Sequence, residues 1–174
     1  MKVFLDLDGV LVDFRRGVCE AFGRKDTSNN WTFWENWEGV TNRDVDAKCD
    51  IFFWNLLDWT PDGTGIEHAV REKFGEENIY LLTTPMPNVG SGTGKLRWIK
   101  RCMPWVYDRT IISYAPKHLF ANPDTLLIDD KDQNIEEFQA AGGQGILVPR
   151  IWNKDSYLAS QTLKVVKRCL EDYR

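Results

Sequence analysis

The chain has 174 residues, of which 43% are hydrophobic and 28% charged, with a formal net charge of −4. That length supports one domain with a real core, or a core domain with a small insert, and the composition is globular. The mild negative charge argues against a surface that coats nucleic acid, and no apolar stretch reaches membrane-spanning length.

Residues 2–7 (KVFLDL) read as a short buried strand ended by Gly9. Residues 13–23 predict a helix, with Phe14, Val18 and Phe22 at spacing four. Composition then shifts: residues 24–40 are polar and aromatic, holding Trp31, Phe33, Trp34 and Trp37. Thr41 followed by Asp44 reads as a helix start, and that helix is expected to run through Cys49 to Leu57. The loop "DWTPDGTG" (58–65) leads to a helix at 66–74 that Gly75 stops.

From residue 78 the pattern alternates. Strands are predicted at 78–85, 109–114, 124–130 and 145–149, with helices at 95–103 and 134–143. A long amphipathic helix is expected from Lys154 onward, with Leu158, Leu163, Val166 and Leu170 facing inward. Such alternation implies an α/β fold, a Rossmann-like, mostly parallel sheet flanked by helices. "GSGTGK" (90–95) imitates a nucleotide-binding loop. Leu96 stands where that motif needs Ser or Thr, and Val89 stands where it needs its first glycine. Its glycines read instead as a loop passing close to an anion site before the helix begins. Cys19, Cys49, Cys102 and Cys169 are scattered without a CxxC, which argues against zinc and redox motifs and suggests reduced thiols in a cytoplasm.

In a parallel sheet the ligand site lies outside the carboxyl ends of the strands. Here those ends carry Asp6 and Asp8, Thr83 and Thr84, and Asp129 and Asp130, with Lys117 after the third strand. Carboxylates gathered at one rim repel unless a cation sits among them. Oxygen ligands without His or Cys suit Mg2+, which commonly shares its shell with a phosphate. The expected substrate is therefore a phosphate ester. A strand-end Asp can act as nucleophile, while a second carboxylate protonates the leaving oxygen and then activates water.

Asp6-x-Asp8-Gly9-Val10, Thr83, Lys117 and the Asp129-Asp130 pair, in that order, resemble the four motifs of the haloacid dehalogenase (HAD) superfamily across the whole chain. "DGVLVDF", "LLTTP", the "KLRW" helix and "LLIDDKD" together look like the 5′(3′)-deoxyribonucleotidases. The resemblance implies that Asp6 is the nucleophile and Asp8 the general acid and base. It implies Mg2+ held by Asp6, the main-chain carbonyl of Asp8 and Asp129, with Asp130 acting through the waters of the ion. Thr83, Thr84 and Lys117 would bind phosphate, and Lys95 matches a family lysine near it. A small helical cap at 15–77 would interrupt a catalytic core of 1–14 and 78–174. Phe14 sits where the family places an aromatic that contacts the base, and Phe52 and Phe53 are further candidates; the Trp31–Trp37 stretch has no aligned role.

The implied activity is hydrolysis of (deoxy)ribonucleoside monophosphates to nucleoside and phosphate through an aspartyl-phosphate on Asp6. A small-molecule partner is expected rather than a nucleic-acid polymer or a membrane, and a homodimer stays open because relatives commonly pair. Two alternatives remain. One is a phosphatase of another small phosphometabolite. The other is a phosphoacceptor signalling receiver domain, which places its acid pair and phosphoacceptor on different strands and lacks an insert of this length.

Overall fold

A computed structural model describes residues 1–26 and 28–173. Five strands form one parallel sheet: β1 (Lys2–Leu5), β2 (Ile79–Thr83), β3 (Thr110–Ile112), β4 (Thr125–Asp129) and β5 (Gln144–Leu147). Their spatial order is β3-β2-β1-β4-β5, the doubly wound arrangement expected from the alternation. β1 lies at the centre, with Val3 paired to Ile79 on one side and to Leu126 on the other. Central parallel strands are covered on both faces, so they need unbroken apolar runs. Val3, Phe4 and Leu5 are all buried, as is every residue of β4. Two apolar clusters cover the two faces, one around Leu5, Leu81 and Ile128 and the other around Phe4, Leu127 and Phe138.

The helices are α1 (Phe14–Phe22), α2 (Asn42–Lys48), α3 (Ile51–Leu56), α4 (Gly63–Phe74), α5 (Val89–Cys102), α6 (Asp132–Ala140) and α7 (Thr162–Glu171). Asp13 caps α1 by accepting from the amide of Arg16 at 3.1 Å. Thr41 and Asp44 form a reciprocal capping box at the start of α2. The single helix expected over 41–57 is instead two. The chain leaves the helix at Cys49, and Asp50 accepts from the amide of Phe53 at 2.8 Å to start α3. A second N-cap side chain within a helical pattern thus outweighed the pattern.

The glycine stretch before Lys95 is also not a loop. α5 begins at Val89, where Asn88 accepts from the amide of Ser91 at 2.8 Å. A Cβ on Gly94 would lie 2.5 Å from the Cβ of Trp54 and 2.8 Å from the carbonyl oxygen of Ile51. The glycine lets α5 press against α3. At the other end of the chain, residues Ser156–Gln161 form a 3-10 turn before α7 rather than a continuous helix. The aromatic stretch contributes a 3-10 turn at Phe33–Asn36, with Phe33, Trp34 and Trp37 buried.

Two linkers join the segment after β1 to the sheet. They run side by side: the amide of Asp13 donates to Asp58 at 2.9 Å, and that of Thr60 to Leu11 at 2.8 Å. α4 then packs on α7, where a Cβ on Gly65 would meet Leu163. Among the described residues, no helix is long and apolar enough to cross a membrane.

Candidate active site

Parallel strands bring their carboxyl ends to one rim. Asp6 follows β1, and its amide donates to Ile128 on β4 at 2.9 Å, which fixes its position relative to Asp129. Carboxylate oxygens of Asp6, Asp129 and Asp130 all lie within 4.8 Å of one another, and all three residues are buried. A pair of like charges at ~4 Å costs about 4 kcal/mol at an effective dielectric of about 20. Lys117 offsets part of this. Its ammonium stands 2.6 Å from Asp6 Oδ1 and 2.6 Å from Asp129 Oδ2.

The other partners are fixed donors. Asp129 accepts from the amide of Lys131 at 2.8 Å and from the Asn134 side chain at 2.9 Å. Asp130 accepts from the Trp152 indole at 2.6 Å, and its carbonyl from Asn153 at 2.8 Å. Burial pushes the Asp6 carboxyl up to about 7 against the hold of Lys117, with Asp129 and Asp8 adding to the rise. Asp130 is pushed well above the ordinary carboxylate range, first by burial and then by Asp129 and Asp6. Burial alone would lower Lys117, but Asp129 and Asp6 outweigh it and push its ammonium above the usual lysine value.

Asp8 is held from the other side. Lys95, 1% exposed, donates to Asp8 Oδ2, to Thr83 Oγ1 at 3.0 Å and to the carbonyl of Thr84 at 2.6 Å. The second oxygen, Asp8 Oδ1, is enclosed without a hydrogen-bond partner among the described residues. An orphaned buried acceptor costs roughly 1–3 kcal/mol. Converging carboxylates, an orphaned oxygen beside them and a donor set free of His and Cys fit a hard divalent cation. Gly9 makes the turn possible: its φ is +75°, and a Cβ there would lie 2.8 Å from Asp130 Cγ.

The acids open into a cavity of about 560 Å³ whose opposite wall is aromatic. Phe14 stacks on Trp54, with centroids 5.0 Å apart at 7°, and on Trp31 at 5.8 Å and 26°. Trp152 meets Trp31 edge-on at 5.5 Å. Arg15 pins this wall: it pairs with Asp26, donates to the carbonyls of Ser28 and Asn30, and lies over the ring of Phe33 at 4.3 Å.

Asp6, Asp8, Thr84, Lys117, Asp129, Asp130 and Phe14 therefore share one cavity. Four candidates do not line it. Thr83 is buried and its hydroxyl is taken by Lys95. Lys95 itself is sealed behind Asp8, so it orients that acid rather than facing the cavity. Phe52 is 67% exposed on the outer side of α3, and Phe53 packs edge-on behind Phe14 at 6.0 Å. Consecutive helical residues diverge, and α3 turns Trp54 toward the cavity instead. Sequence reasoning missed Trp31, Trp54, Asn134, Trp152 and Asn153. Asn134 had a readable signal in its place on the first turn after "LLIDDKD"; Trp152 and Asn153 had only their position after the last strand.

No family model matches the chain. Among solved structures it is similar to a HAD family enzyme of Bacteroides thetaiotaomicron in a magnesium complex, with 16% identity and a TM-score of 0.47, over 90% of this chain and 96% of that one. A substituted form of that enzyme, in complex with magnesium and inorganic phosphate, matches with 17% identity and a TM-score of 0.47, over 90% and 97% of the two chains.

Proposed function

We propose that this chain is a Mg2+-dependent phosphatase of HAD type that hydrolyses (deoxy)ribonucleoside monophosphates. The observation that carries the reading is the cluster of Asp6, Asp129 and Asp130 around Lys117, open to a cavity with an aromatic wall. Asp6, the Asp8 carbonyl and Asp129 would hold Mg2+, with Asp130 acting through its waters; bound there, the ion would neutralise charge on the acids and the phosphoryl group.

The chain's own groups do the rest. The Asp6 carboxylate attacks phosphorus and forms an aspartyl-phosphate as the ester P–O bond breaks. Asp8, oriented by Lys95, gives its proton to the departing alkoxide. The same carboxylate then takes a proton from water, whose oxygen attacks phosphorus and frees Asp6 and inorganic phosphate. Lys117 favours the ionised form of Asp6 against burial and supplies positive charge to the phosphoryl oxygens, and Thr84 is the strand-end hydroxyl residue left on the cavity wall.

Residues 15–77 serve as the cap, closing the aromatic wall over the leaving group. Trp31 and Trp152, half-buried on the cavity wall and backed by the buried Phe14 and Trp54, offer ring surface of the kind that stacks a base with little loss of side-chain entropy. The adjacent placement of Asp6 and Asp8 on one turn favours this reading over a receiver domain.

A hydrolysis panel of dUMP, dTMP, ribonucleoside monophosphates, sugar phosphates and phenyl phosphate tests it. Turnover should require Mg2+, stop with EDTA and favour the nucleotides. A preference for sugar phosphates would replace the nucleotide reading with another phosphometabolite, and no turnover of any ester would reject the phosphatase.

A further inference from the structure

The loop after β5 reaches the site from outside every catalytic motif. Asn153 donates to the carbonyls of Asp130 and Val148, each at 2.8 Å. Arg150 donates to the carbonyls of Gly9 and Val10 and pairs with Asp62 through both its amino groups, at 2.9 and 2.7 Å. Trp152, in the same loop, is anchored on three sides. Its indole N–H donates to Asp130 Oδ2 at 2.6 Å, its ring meets Trp31 edge-on, and the Arg15 guanidinium lies over it at 5.1 Å. The missing Cβ of Gly9 leaves room for this pair, since that atom would stand 3.1 Å from Trp152 Cζ2. Trp152 also lines the cavity.

We infer that Trp152 is a positioning residue: its N–H aims the Asp130 carboxylate at the cation site, while its ring forms part of the wall that meets the leaving group. Asp130 is buried beside two other acids and touches no cation of the chain directly, so the indole is the one side-chain donor that fixes its rotation among the described residues. A free rotation would let the carboxylate turn away from its neighbours' charge. Partners that orient metal-binding carboxylates commonly govern affinity by about 10–100-fold. The inference rests on the reading of the acid cluster as a Mg2+ site.

The test measures Mg2+ binding calorimetrically on the whole chain without substrate. Trp152→Phe keeps a ring and removes the N–H, so Mg2+ affinity should fall about tenfold or more. In an Asp130→Asn background the same change should cost nothing further, because the role runs through Asp130. Unchanged affinity in W152F, or a full additional loss in the D130N background, overturns the assignment. Wild-type protein that binds no Mg2+ overturns the metal-site reading beneath it. Should W152F not fold, the indole N–H resonances of the eight tryptophans carry the test in wild type and D130N. One resonance should move both on Mg2+ addition and on D130N substitution; no such shared resonance overturns the assignment.

Discussion

Asp6 shows how a single residue can be a liability to the fold and still carry the proposed chemistry. It sits just past the end of β1, where burial opposes its charge and Lys117 favours ionisation. A protein selecting for stability alone would place an apolar residue there. Asp6→Asn should therefore leave the fold intact while turnover of dUMP or phenyl phosphate falls by at least about 10³-fold, the scale of losing a nucleophile. Circular dichroism and a steady-state assay on the same sample check both halves. Asp8 makes a contrasting case: its orientation comes from a lysine 87 positions away in the chain, which sequence resemblance places near the phosphate and the structure places behind the acid.

At the level of elements, the contact between α3 and α5 carries the site. α3 brings Trp54 to the cavity wall and α5 brings Lys95 to Asp8, and the Lys95 ammonium lies over the Trp54 ring at 4.6 Å. Gly94 sits where the two helices touch. Its substitution by alanine would raise helix propensity in a free helix. Here the added methyl meets backbone and a Cβ, neither of which yields cheaply. Gly94→Ala should destabilise the protein by roughly 1–3 kcal/mol, read from urea denaturation, and should lower activity by displacing Lys95. A stabilised variant would mean that the helices part freely.

For the whole molecule, the acid rim makes stability depend on pH and cation together. Asp6 is raised to about 7 by burial, and Asp130 is raised in the same direction. The folded chain thus binds these protons more tightly than the unfolded chain, whose carboxyls titrate near ~3.9. Stability from this source is full below the unfolded value and is lost as pH rises toward about 7. Lys117 stays protonated throughout that window and changes nothing in it. The Tm without metal should fall between pH 5 and pH 8, and Mg2+ should raise the Tm more at pH 8 than at pH 5, since protons compete with the cation. Thermal scans with Mg2+ or EDTA at both pH values check this; an equal shift at the two would remove the carboxylates as its ligands.

The sequence by itself determined the parallel sheet and the strand-end acids. Apolar runs closed by Asp, Thr or Pro are local signals, and a parallel sheet sends all such ends to one rim whatever the side chains do. The cap at Thr41 was legible for the same local reason. The split at Cys49 came from a local cap, Asp50, that the helical pattern masked; tertiary structure alone decided the helical state of the glycines before Lys95 and the choice of Trp54 over Phe52 and Phe53. Each depends on which faces of α3 and α5 meet, a contact between segments about forty residues apart. It also decided that Lys95 serves Asp8 and that Trp152 serves Asp130. Hydrogen bonds between distant residues leave no periodicity, spacing or composition to read, because their energy is realised only when the sheet brings the two chain segments together.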